Sequence, residues 1–249
     1  MIASFPMYDM ASLQGANDAL WAAVRDRLRA RGMPAPEALD RVTGLWEGWT
    51  APDLVLGQTC GMPYRTRLHG QVTLICAADY GLEGTPAGFY HSVFVARAGD
   101  ARAAAEDFAE ARFAYNQPES HSGWAAPQTW AAGRGFRFRP TLETGGHQLS
   151  ALAVAEDRAD IAALDAVTWR FLTRHDAGLT ARLKVVGRTQ VAPGLPFIAA
   201  PGADAAATFA SLQEGLYSLP AETRERLMIR GLIRIEATQY LVVPTPPGP

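Results

Sequence analysis

Lysine is all but missing from this chain. Lys184 is the single lysine among 23 basic residues, and 25 acidic residues leave a net charge of −2. With charge this evenly balanced there is no polyelectrolyte footprint, which argues against bulk nucleic-acid binding. Cysteine is scarce as well. Cys60 and Cys76 are too few for a disulfide framework, and they show no CxxC spacing. No apolar run approaches the ~20 residues of a membrane-spanning helix. The start, Met1 to Asp9, has no basic leader ahead of an apolar stretch. As written, the chain is expected to be soluble and cytoplasmic, or periplasmic if a leader has been removed.

What is present is ordinary globular material. The 249 residues are 48% hydrophobic and 19% charged, enough for one large domain or two lobes with real cores. Short apolar runs alternate with helical patterns, which argues for α/β architecture. Strands are predicted at Ile2–Met7, Leu54–Leu56, Val72–Ala77, Ser92–Ala96, Ala111–Tyr115, Ile161–Leu164 and Leu183–Val186. Helices are predicted at Asp18–Arg31, Asp100–Glu110, Leu149–Asp157 and Ala166–Arg174. Two turn-rich stretches, Gly84–Gly88 and Ala192–Pro196, read as crossings between lobes. Pro244 to Pro249 is expected to extend free of the fold.

Two clusters carry chemistry. Ser120-His121-Ser122-Gly123 stands where a strand gives way to a helix, and Thr144-Gly145-Gly146-His147 opens the helix that follows. Each joins hydroxyl or imidazole donors to glycine at a helix start. There the first backbone N–H groups are unpaired, and the macrodipole adds roughly half a positive charge. Such a junction can hold an anion. The plainer reading of each cluster is a helix cap, contributing ~1 kcal/mol. Two such junctions in one block favour a shared ligand, whose capture would strengthen as histidine gains a second N–H at lower pH.

The order of motifs resembles the phosphate, phosphite and phosphonate binding proteins of ABC uptake systems. The resemblance runs from about Pro52 to Pro196. It takes in Pro52-Asp53-Leu54-Val55, Thr85-Pro86-Ala87-Gly88-Phe89-Tyr90-His91-Ser92-Val93 and Asn116 to Gly123. It continues through Gly145-Gly146-His147, Ala159 to Asp165 and Pro193-Gly194-Leu195-Pro196. The resemblance implies a type II periplasmic-binding-protein fold: two α/β lobes, two crossover segments and a ligand cleft between them. Lobe 1 would be residues 1–88 plus 189–249, and lobe 2 residues 89–188. It further implies that Ser120, His121, Ser122, Gly146 and His147 meet a small phosphoryl oxyanion, together with Tyr90, Gln58 and Thr59. An ABC permease would be the partner of a monomeric receptor that needs no cofactor.

The pattern departs from the family where Ser-Thr-Ser-Gly becomes Ser-His-Ser-Gly. The carboxylates that hold the amine of an aminoalkylphosphonate are not evident either. Asp165 is the nearest acid, and a shifted position carries Val167. An aminophosphonate is therefore not the expected ligand. Asp165 reads equally as a ligand contact or as the cap of the helix at Ala166. Cys60 near a histidine could be pictured as a nucleophile, and His69, His91 and His175 lack metal-ligand spacing. An enzyme on the same fold, using His121, His147 or Cys60, is the rival reading, and a cytoplasmic ligand sensor is the third.

Overall fold

The computed structural model describes Met1–Pro249. The chain forms two units. The first comprises Met1–Phe89 and Pro193–Leu241, and the second Tyr90–Ala192 and Val242–Pro249. In the first half of the chain the strands are β1 (Ile2–Ser4), β2 (Leu54–Gln58), β3 (Thr73–Asp79), β4 (Phe89–Tyr90), β5 (Ser92–Arg97) and β6 (Phe113–Tyr115). In the second half they are β7 (Thr141–Glu143), β8 (Ile161–Asp165), β9 (Leu183–Arg188), β10 (Ala192–Pro193), β11 (Pro196–Ala199) and β12 (Gly231–Ile233). The sheet of the first unit has the order β1-β2-β11-β3-β12, and that of the second β7-β6-β8-β5-β9. β4 and β10 form a separate two-stranded ladder.

In the first unit β1 runs parallel to β2, while β11 lies antiparallel to both β2 and β3. The helix Gln14–Ala30 buries Leu20, Trp21, Val24 and Leu28 at helical spacing and ends ahead of Gly32. It packs against a second helix, Ala205–Ser218, which Asp204 caps by accepting from the Ala206 and Ala207 amides. Trp49, Leu54, Tyr64, Leu68, Ile198 and Tyr240 share one core.

In the second unit β6 is parallel to β7 and β8, whereas β5 is antiparallel to β8 and β9. Each fully buried strand is an almost unbroken apolar run, as a strand covered on both faces requires. Its core is aromatic: Phe113 stacks on Phe138 at 4.6 Å, and Phe94 meets Trp130 at 4.7 Å. Each such ring contributes about 1.5–3 kcal/mol by leaving water.

Two expectations fail for identifiable reasons. Asp100–Glu110 is not an α-helix; only Ala105–Phe108 makes a short 3-10 turn. Asp100 takes the backbone N–H and guanidinium of Arg102, and Asp107 takes the N–H groups of Ala103 and Ala104. These local bonds compete with the helical ladder and win. Nor does the proline-rich end extend free of the fold. The carbonyls of Pro247 and Gly248 accept hydrogen bonds from the second unit. No helix is long and apolar enough to cross a membrane.

Candidate functional site

The first cluster folds as a wide helical turn, His121–Ala125, in which the Ala125 amide reaches back to the Ser120 carbonyl at 3.0 Å. Ser120 is its cap. The Ser120 Oγ accepts the Gly123 amide at 3.0 Å. A Cβ at Gly123 would lie 1.9 Å from Asn116 Oδ1, so any other residue there would have to displace the Asn116 side chain. The second cluster turns through Gly145, whose φ of +87° lies in the left-handed region that favours glycine. Gly146, in extended conformation, then starts the helix His147–Ala155 with no side-chain cap.

The two turns meet in one hydrogen bond: Ser122 Oγ lies 2.8 Å from His147 Nε2. Around it the sheet supplies anchors. Ser92 Oγ donates to the Ser122 carbonyl at 2.9 Å, and Ser92 is paired in register with Asp165 across β5 and β8. The Tyr115 carbonyl, at the end of β6, accepts from both the amide and the hydroxyl of Thr144. The Asn116 carbonyl accepts the Gly145 amide at 2.8 Å. One strand end thereby fixes both turns.

Among the predicted residues, Ser120, Ser122, Gly146 and His147 are thus assembled at one place, with His121 beside them. The His121 ring lies 5.9 Å from that of Tyr90, and both residues are buried. Asp165 is buried at the end of β8, where its Oδ1 accepts the Val167 and Thr168 amides at 2.7 and 3.2 Å. Its visible work is capping. Gln58 and Thr59 end β2 in the first unit, buried, with Gln58 Nε2 and Thr59 Oγ1 lacking hydrogen-bond partners. Buried polar atoms left unsatisfied are costly and call for an explanation. Cys60 and Cys76 are buried and form no disulfide, and burial pushes the Cys76 thiol far up.

Burial also pushes the His147 imidazole down to about 4, against a smaller opposite pull from the Ala163 carbonyl. His147 retains some exposure, but its Nδ1 is buried. Without a bound anion the ring is therefore neutral at neutral pH. His91 is likewise pushed down, by burial and then by the charge of Arg188. With its proton on Nε2, His147 donates to Ser122 and leaves the serine O–H for another acceptor. With the proton on Nδ1, the serine O–H is spent on the ring. The anchoring hydrogen bonds of Ser92 and Asn116 were not read from the sequence. Ser92, a hydroxyl at the head of the apolar run Val93-Phe94-Val95-Ala96, was the available signal.

The model of the ABC-transporter phosphonate periplasmic substrate-binding proteins matches residues 53–240. The chain belongs to that family. Its members are the substrate-binding components of transporters, and the family is periplasmic. Solved structures share the fold, that of type II periplasmic binding proteins. A binding-protein component of an ABC phosphonate transporter from Pseudomonas aeruginosa is 18% identical with a TM-score of 0.69, over 96% of this chain and 83% of that one. PhnD1 from Prochlorococcus marinus, in complex with methylphosphonate, is 16% identical with a TM-score of 0.66, over 91% and 90% of the two chains. A Xanthomonas citri protein bound to chloride is 17% identical with a TM-score of 0.69, over 96% and 92%. None of the curated proteins matches the chain.

Proposed function

We propose that this family member captures a small phosphoryl oxyanion, a phosphonate, phosphite or phosphate, at the Ser120–Ser122 and Gly146–His147 turns. It acts as the solute-binding component of an uptake system, without turnover. The observation that carries the reading is the 2.8 Å contact of Ser122 with His147, which joins two helix starts into one donor cluster. In the tautomer with the proton on Nε2, the Ser122 hydroxyl is left to donate to the anion. Amides at the uncapped start of His147–Ala155 add donors along the favourable end of the helix dipole. These donors carry no formal charge, so affinity comes from preorganised hydrogen bonds to a charged acceptor.

A receptor of this kind, a monomer serving an ABC permease in the periplasm, is favoured over an enzyme by family membership. Asp165 Oδ1 already accepts two amides at its cap, and no second carboxylate is evident to hold an ammonium group. Methylphosphonate should therefore bind at least as well as aminoethylphosphonate. The test is a thermal-shift and calorimetry screen of methylphosphonate, aminoethylphosphonate, phosphite, phosphate and sulfate. A ligand at ~100 times its Kd adds ~2.7 kcal/mol of stability, a shift of several degrees. No shift with any of them at millimolar concentration would refute the proposal, and release of product from a phosphonate ester would favour the enzyme.

A further inference from the structure

Proline lacks an N–H, so a proline-rich segment binds through its carbonyl oxygens and its rings. Pro244, Pro246, Pro247 and Pro249 make up four of the last six residues. A surface that holds them must supply donors beside flat apolar groups. Trp124 Nε1 donates to the Pro247 carbonyl at 3.1 Å. Arg137 Nη2 donates to the same carbonyl at 3.1 Å and to that of Gly248 at 2.8 Å. The Arg137 guanidinium also lies 5.8 Å from the centre of the Trp124 ring. Pro249 ends at a hollow of about 480 Å³ that Trp124, Phe138, Pro140 and Thr141 help to line. Three hydrogen bonds onto two consecutive carbonyls set the register of the segment, and fixed proline φ angles lower the entropy lost on docking.

Trp124 is no neutral anchor. It belongs to the turn His121–Ala125, two residues beyond Ser122, and is 1% exposed. Its ring packs 4.8 Å from that of Tyr115, whose carbonyl holds Thr144 at the head of the second donor turn. The indole thus connects to both turns, and its one polar atom is held by the terminal segment.

We propose that Pro244–Pro249 is a built-in strap for the anion site. Docked on Trp124 and Arg137, it keeps the indole, and through it the Ser122–His147 pair, in the receiving geometry. The anion part of this inference rests on the function proposed above, whereas the docking part does not. The experiment compares the full chain with a variant ending at Val243, with Trp124→Phe, and with both changes together, each checked for folding by circular dichroism.

Without ligand, the Trp124 indole N–H should exchange slowly in the full chain and fast in the shortened one. The His147 ring resonances should shift on shortening. With methylphosphonate, shortening and Trp124→Phe should each weaken binding about threefold to tenfold, the value of one lost hydrogen bond. The double variant should lose no more than the shortened chain alone, because the one hydrogen bond that Trp124→Phe removes is among the three that shortening removes. Equal indole exchange in full and shortened chains would overturn the docking. Unmoved His147 resonances, or unchanged affinity on shortening, would overturn the coupling. Failure of the full chain to bind any of the anions would count against the proposed function, while the ligand-free signals would still decide the strap.

Discussion

The two donor turns reach the same end by opposite means. At Ser120–Gly123 the hydrogen bonding closes on itself: Ser120 caps its own turn, Asn116 crowds Gly123, and Ser92 pins the Ser122 carbonyl. At Gly145–His147 the backbone swings through a left-handed glycine and the helix begins with no side chain on its amides. Thr144, the hydroxyl that could have capped it, is bonded instead to the Tyr115 and Gly146 carbonyls and to Ser150 Oγ. The first turn is built to hold a shape, and the second to leave donors over. Paired by one hydrogen bond, they would divide the labour of the proposed site between rigidity and availability.

The comparison breaks most completely at Gly123. Gly123→Ala would place a methyl 1.9 Å from Asn116 Oδ1. The expected cost is about 2–3 kcal/mol of stability, as for other overpacked sites, with anion binding lost in calorimetry. Adding Asn116→Ala should recover part of both, and a strictly additive double variant would mean that the contact is not the cause. Next comes His147→Ala, on the open side. It should weaken anion binding roughly tenfold to a hundredfold, the range for hydrogen bonds to a charged group. Its effect on the urea midpoint should be far smaller than that of Gly123→Ala. An affinity equal to wild type would leave His147 outside the site.

The third comparison uses protons. His147 titrates near 4 in the fold, below its ordinary 6.5, so the unfolded chain binds more protons between those values. Its contribution is therefore complete above pH 6.5 and lost as pH falls toward 4, a change of roughly 3 kcal/mol. His91, also pushed down, adds a slope of the same sign. Urea unfolding at pH 7.5, 5.5 and 4 should show the decline, and His147→Gln should flatten it; an identical slope in the variant would contradict the assignment. Smallest is Ser120→Ala on the closed side. It should cost ~1 kcal/mol in unfolding experiments and only a few-fold in affinity, because its Oγ is engaged in capping the turn. A Ser120→Ala loss as large as that of His147→Ala would erase the division between the turns.

The meeting of the two turns was more legible in the sequence than the sheets that carry them. That Ser120, Ser122, Gly146 and His147 come together was foreshadowed because hydroxyl, imidazole and glycine are rare together at helix starts. What Asp165 does was left open between two jobs, because a carboxylate at a strand end serves a helix cap and a ligand equally well on paper. β11 went unread, since Pro196-Phe197-Ile198-Ala199 is four residues long, begins on proline and leads into an alanine-rich stretch. Nothing local marks it as a strand; its neighbours β2 and β3 do. The terminal prolines misled in the same way. Composition describes what a segment can do alone, and Trp124 and Arg137 lie more than 100 residues away.

The position of β11 has a consequence for the order of folding. The second unit is almost contiguous, and its sheet closes entirely within Tyr90–Ala192. The first unit must wait, because the strand at the centre of its sheet comes from residues 196–199. Until that strand emerges from the ribosome, β2 and β3 have no partner between them, and their apolar edges stand open to other chains. The later unit is thus the one whose sequence begins first. Pulse-labelled hydrogen exchange during refolding should protect the amides of β5 and β8 before those of β2 and β3, since pairings across so long a stretch of chain form slowly.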